Sequence, residues 1–183
     1  MRRLGILFVA ILLLAGCETF PAHKYSLSVN NINAIKDTMG TGHARSLAVR
    51  DFTAASPGEY EIHCGINGLI TMPRRTPVEK YIREALIDEL KEADVYSLDQ
   101  IEATGVITGH LKKLKIHPTG GGWLIDLTIT FKSGEAFTVS ESYPLNGAQC
   151  DQTAAALAPA VQDLIHQIIA HPAFQKKMGM PTN

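Results

Sequence analysis

Seven histidines, three cysteines and a few isolated acids and hydroxyls are the residues of this 183-residue chain that could do chemistry. His23, His43, His63, His110, His117, His166 and His171 never fall at His-x-x-x-His spacing, and no Cys-x-x-Cys pair accompanies them. The ligand spacing a zinc site uses is therefore missing, and surface histidines with no metal are the expectation. A hydrolase needs a nucleophile with a base in reach. No Gly-x-Ser-x-Gly occurs, and Cys64 beside His63 is a poor pair because neighbours in extended or loop segments generally point apart. Gly120, Gly121 and Gly122 lead into a strand-like pattern at Trp123, so they lack the helix N-terminus that holds phosphate. Asp126, the one acid in a neutral stretch, is expected to point into water. No catalytic residue is assigned, and the chain is not expected to be an enzyme.

Cys17 carries a more specific message. Arg2 and Arg3 precede thirteen uncharged, mostly aliphatic residues, 4–16. That is the positive region and apolar run of an export signal. Thirteen helical residues cover only about 20 Å, whereas a span needs roughly 20 residues. Leu14-Ala15-Gly16-Cys17 resembles the bacterial lipobox, which implies cleavage after residue 16 and acylation of Cys17 by a diacylglycerol and an N-acyl, palmitate-type chain. An ordinary secretory signal with a chance cysteine is the alternative. Two or more acyl chains anchor stably at about 0.8 kcal/mol per buried CH₂. Glu18 is not the aspartate that marks inner-membrane retention, so the periplasmic face of the outer membrane is favoured over the inner membrane. No other cofactor is expected.

Removing sixteen residues from 183 leaves 167, a length that suits one domain. Without Arg2 and Arg3 there are 15 basic against 18 acidic side chains, too little positive charge for nucleic acid or a polybasic membrane stripe. Cys64 and Cys150 would sit where disulfides form and persist. A bridge is expected between them, two separate buried thiols being the alternative.

The domain boundaries follow from composition: 1–16 signal peptide, 17–45 lipidated N-terminus and flexible tether, 46–178 periplasmic domain, 179–183 disordered tail. Residues 46–52 suit a buried strand, and residues 59–75, interrupted by Gly65, Gly68 and Pro73, leave Cys64 in a loop. Thr76-Pro77-Val78-Glu79 predicts a capped helix start, continued by Val78, Ile82, Leu86 and Leu90 at helical spacing. Residues 106–116 read as a strand whose phase changes at Lys112 and Lys113, the mark of a bulge. Residues 123–131 alternate with period two, 132–135 make a tight turn, and 136–143 return. Residues 151–170 form the last helix, started late or kinked at Pro159. The predicted fold is α+β, a two-layer sandwich in the order β-α-β-β-β-α, with two helices on the Trp123/Phe131/Phe137 face of a mostly antiparallel four-stranded sheet.

The other sheet face would carry Thr128, Thr130, Thr138, Ser140 and Ser142, a neutral hydroxyl surface. It is either a plain solvated face or a candidate partner face, with docking there or along an edge strand. A small-molecule or lipid cavity lined by Trp123, Phe137 and Leu164, between helices and sheet, is the alternative function.

Residues 78–97, 105–116 and, after a cysteine, 155–174 resemble the small YajG-like bacterial lipoproteins. "SLAVRDF" with "GVITGHL" resembles the α/β module of the TolB N-terminal domain and the curli-secretion lipoprotein CsgG, although the long insertions of a CsgG pore are missing. These resemblances imply an outer-membrane lipoprotein, a non-enzymatic accessory or assembly factor with another envelope protein as partner. The residue they carry over is the lipidated cysteine, Cys17.

Overall fold

The computed structural model describes residues 18–40, 45–66, 68–118 and 120–179. Cys17 lies outside them, as do the signal segment and the last four residues. In chain order the elements are β1 (Glu18–Pro21), α1 (Val29–Met39), β2 (Leu47–Val49), β3 (Thr53–Ala54), β4 (Glu61–Cys64), β5 (Gly68–Thr71), α2 (Val78–Glu92), β6 (Gly105–Ile116), β7 (Gly122–Phe131), β8 (Ala136–Pro144), α3 (Cys150–Ala155), α4 (Leu157–Ala170) and α5 (Pro172–Met178).

The α+β class is as expected, but the sheet is not. There are two mixed sheets: β1-β5-β4, and a five-stranded one in which β2 and β3 both flank β6, followed by β7 and β8. The expected antiparallel meander is present as β6-β7-β8. However, β2 and β3 run parallel to β6, and β1 runs parallel to β5. The second sheet grows from two stretches expected to be irregular. Cys64, expected in a loop, closes strand β4, and β5 begins at Gly68.

The stretch read as a tether is folded over residues 18–40. Its helix α1 has five apolar residues, Val29, Ile32, Ala34, Ile35 and Met39, diluted by four asparagine or threonine residues. Helix propensity is poor there, and tertiary packing outweighs it. Ile35 and Met39 are fully buried against α4 and α2. Asn31 is also buried, its amide donating to the Gln162 carbonyl at 2.9 Å. Ser28 caps the first turn.

The bulge at Lys112 is where the phase change placed it, between Leu111 and Lys113. Its effect is to keep apolar residues inward along both halves of β6. The capping box at Thr76 does not form: Pro77 precedes α2 without a side-chain cap, and Glu79 instead accepts the Gly58 N–H at 2.9 Å. The last helical stretch breaks at Ala156, which leaves Pro159 in the first turn of α4, where its missing N–H is an orphan in any helix.

The core lies between the inner face of the large sheet and α2 and α4. Trp123, Ile125, Leu127 and Ile129 alternate into it with no exposed surface, facing Leu164, Ile165 and Ile168. Trp123 donates its indole N–H to the Thr153 carbonyl at 2.8 Å, joining β7 to α3. Gly122 has φ 83, and a Cβ there would lie 1.9 Å from the Tyr143 carbonyl oxygen. That explains one of the three consecutive glycines before Trp123 as a structural need.

Candidate functional site

The outer face of β6-β7-β8 builds up row by row from the register. Thr130 stands opposite Ala136 and Thr108, Thr128 opposite Thr138 and His110, Asp126 opposite Ser140 and Lys113, and Leu124 opposite Ser142 and Lys115. Period two therefore puts the predicted Thr128, Thr130, Thr138 and Ser140 together on one face. Thr138 and Ser140 are exposed, whereas Thr128 and Thr130 are half-buried. The Thr128 and Thr138 hydroxyls are hydrogen bonded at 2.9 Å across the strands.

This face is not neutral, contrary to the reading from β7 and β8 alone. The bulge turns Lys112 and Lys113 towards the same side, a consequence that sequence periodicity does not show. Lys112 donates to the Thr138 hydroxyl at 3.3 Å, and Lys113 lies 3.9 Å from the Asp126 carboxylate. Asp126 is thus half-buried in an ion pair, a correction to its expected place in water. With Lys115 in the next row, one end of the hydroxyl face carries a basic corner.

Beside that corner lies a cleft of about 650 Å³. Ala54, Ile62, Glu79 and Lys112–Ile116 are among its walls. Among the described strands, β4 pairs only with β5, and β6 beyond Leu111 pairs only with β7. The cleft is therefore bordered by two strands that each have an open edge. Glu79 is buried at its wall, and Glu79 Oε2 has no hydrogen-bond partner among the described residues.

Cys64 and Cys150 are joined in a disulfide with their Cα atoms 5.8 Å apart. His63 is exposed and Cys64 buried, so the neighbours do point to opposite sides of β4. No group of three histidine, cysteine or acidic side chains suited to a metal occurs among the described residues, and none of their helices is long and apolar enough to cross a membrane. Trp123 and Leu164 have no exposed surface and Phe137 stacks on His171 with ring centroids 4.2 Å apart, so the helix–sheet interface is filled where the alternative ligand cavity was expected.

Two buried networks escaped sequence reading. Glu89 on α2 is fully buried and accepts hydrogen bonds from the Tyr25 hydroxyl and from the Ser28 N–H at 2.8 Å. Burial, and then the Glu89 carboxylate, raise the Tyr25 phenol well above its ordinary value; burial pushes Tyr81 up to about 12. On β8, burial and then Asp163 hold the Glu141 carboxyl above the usual range, opposed by hydrogen bonds from Gln167 and the Ser142 backbone. Inward acids on α2 and β8 look, by periodicity, like breaks in an apolar face, which is the only signal the sequence offers.

No family model matches the sequence, and no curated protein matches it. The fold has a solved counterpart. Protein XCC0632 from Xanthomonas campestris, described by the family model DUF330, superposes with a TM-score of 0.59 at 8% identity, over 87% of this chain and 96% of that one. A second structure, of an uncharacterized protein, gives 0.47 at 11% identity over 82% and 94%. At such identity the first match establishes a shared fold and nothing about a site.

Proposed function

We propose that this chain is a lipid-anchored, periplasm-facing lipoprotein of the outer membrane, of YajG-like type, and a non-enzymatic accessory or assembly factor that docks another envelope protein. The observation that carries the docking is the continuity of the hydroxyl face with the cleft between β4 and β6. A partner strand entering there would meet open backbone edges for pairing, with Lys112 and Lys115 to fix its register. The filled helix–sheet interface favours docking over a ligand held in the core. The lipobox at Cys17 supports the anchor.

The test is photo-crosslinking in living cells from Thr138 and Lys115, with Lys91 on α2 as the surface control and adducts identified by mass spectrometry. A dominant protein adduct from both positions is expected. Adducts no stronger than those at Lys91 would remove the docking site.

A further inference from the structure

Four exposed regions offer themselves: the β4–β6 cleft, the groove beside the disulfide, the loop carrying Leu98 and Ile101, and the turn between β4 and β5. The last is tied to the anchor by covalent geometry. β1 starts at Glu18, the residue that directly follows Cys17 in the sequence, so the residue proposed to carry the acyl chains is joined to a strand by one peptide bond. β1 runs parallel to β5, and Glu18 is in register with Gly68, which in turn faces Cys64 across the β4–β5 hairpin. The chain enters β1 and β5 from the same end of the small sheet. Adjacent strands lie about 4.8 Å apart, so the hairpin turn sits within about 10 Å of the point where the anchor leaves the fold. In that turn Ile66 is 98% exposed.

We infer that the hairpin turn lies on the membrane surface, with Ile66 inserted among the lipid headgroups and acyl boundary, because no flexible residue separates the acylated Cys17 from β1. This rests on the lipidation proposed above and adds an orientation to it. The Cys64–Cys150 disulfide links the hairpin to α3, and Thr153 of α3 holds Trp123, the partner of Ile116 at the end of β6. That end of the large sheet therefore faces the bilayer. Gly105, at the other end of the twelve-residue strand, is about 36 Å away along β6, and the loop carrying Leu98 (87% exposed) and Ile101 (90% exposed) precedes it. Ile101 is thus an equally exposed apolar residue pointing away from the membrane.

The experiment uses the full-length protein, extracted from membranes and reconstituted in phosphatidylcholine vesicles with or without brominated acyl chains. Mass spectrometry of the Cys17 peptide comes first. Ile66→Trp and Ile101→Trp are then compared by fluorescence; the native Trp123 has no exposed surface and gives a constant background. The expected result is loss of emission from Ile66→Trp in brominated vesicles and none from Ile101→Trp. An acylated protein in which the two respond alike overturns the orientation while leaving the anchor standing. An unmodified Cys17 overturns both. Since each position is almost fully exposed, neither variant disturbs the core.

Discussion

The Tyr25 hydroxyl donates to the carboxylate of Glu89, fixing the lead-in to α1 on α2 across 64 positions of sequence. The same carboxylate oxygen takes the Ser28 N–H, so a single buried acid holds both the approach to α1 and its cap residue. Truncating such an acceptor leaves a cavity in place of a fully buried carboxylate and two half-buried donors short of a partner, at up to about 1–3 kcal/mol for each. Glu89→Ala is expected to lower stability by on the order of 2–4 kcal/mol in urea denaturation. Tyr25→Phe should cost less, and both should increase hydrogen exchange in α1 before the rest of the fold. Uniform exchange across the chain in Glu89→Ala would mean that the contact does not hold α1 in particular.

Tyr25 also gives the chain an alkaline limit. Its folded-state phenol pKa lies above the unfolded value of 10.0, so folding is favoured while the phenol is protonated, and that contribution is lost as pH rises past 10 towards the folded value. Tyr81, pushed up to about 12 by burial, acts in the same sense between 10 and 12. Denaturation at pH 9, 10 and 11 should show a steep fall for the native chain and a shallower one for Tyr25→Phe. Parallel slopes would place the titration elsewhere.

The disulfide closes 86 residues of sequence and joins β4 to the start of α3. Loop entropy gives about 4–5 kcal/mol for such a span, an upper figure. Reduction should therefore shift the denaturant midpoint strongly without changing the native spectrum. Gly68 refines the prediction, because a Cβ there would come within 2.9 Å of the Cys150 sulfur and 2.6 Å of the Cys64 carbonyl. Gly68→Ala should destabilise the oxidised protein more than the reduced one, read from the two midpoints. Equal losses in both forms would mean that Gly68 serves β5 alone.

Long period-two stretches were legible, and so was the bulge in β6, since a strand cannot change phase without an extra residue. The helix from Val78 was legible for the same reason, its apolar residues falling on one stripe. β1, β4 and β5 were not: each has four residues, too few for a period to repeat, and β1 depends on pairing with β5, some fifty positions away. α1 was lost in its asparagines, which stay helical because Ile35 and Met39 are buried and Asn31 finds the Gln162 carbonyl. On the candidate face, Thr128, Thr130, Thr138 and Ser140 could be read from alternation. The basic corner could not, since it arises when the bulge brings Lys112 and Lys113 to one side.

Glu141 points inward from the edge strand β8, and burial holds its carboxyl above the usual range. A raised folded-state value means that its contribution to stability is present below the unfolded pKa and is lost as pH rises through the folded one, so ionised Glu141 is a cost at neutral pH. An inward charge is one way an edge strand avoids pairing with another copy. Glu141→Gln is thus expected to be more stable than the native chain at pH 7, with the difference shrinking towards pH 4. It should also self-associate more readily in sedimentation velocity. A variant less stable at neutral pH would show that the hydrogen bond from Gln167 outweighs desolvation.

Docking and folding can be separated on the outer sheet face. Thr138 and Ser140 are exposed on β8, so substituting them should change stability by no more than about 0.5 kcal/mol. Thr138→Glu would set a carboxylate beside the Lys112 ammonium, which already reaches that hydroxyl at 3.3 Å, and would neutralise the Lys112 charge seen by a partner. Crosslinking from Lys115 should fall sharply in this variant while its melting temperature stays unchanged. Trp123→Ala is the opposite control: it opens a cavity under β7 and removes a bond to Thr153, costing about 3–5 kcal/mol, so any crosslinking it loses comes from unfolding. If Thr138→Glu melts normally and crosslinks as strongly as the native chain, the partner does not sit on this end of the face.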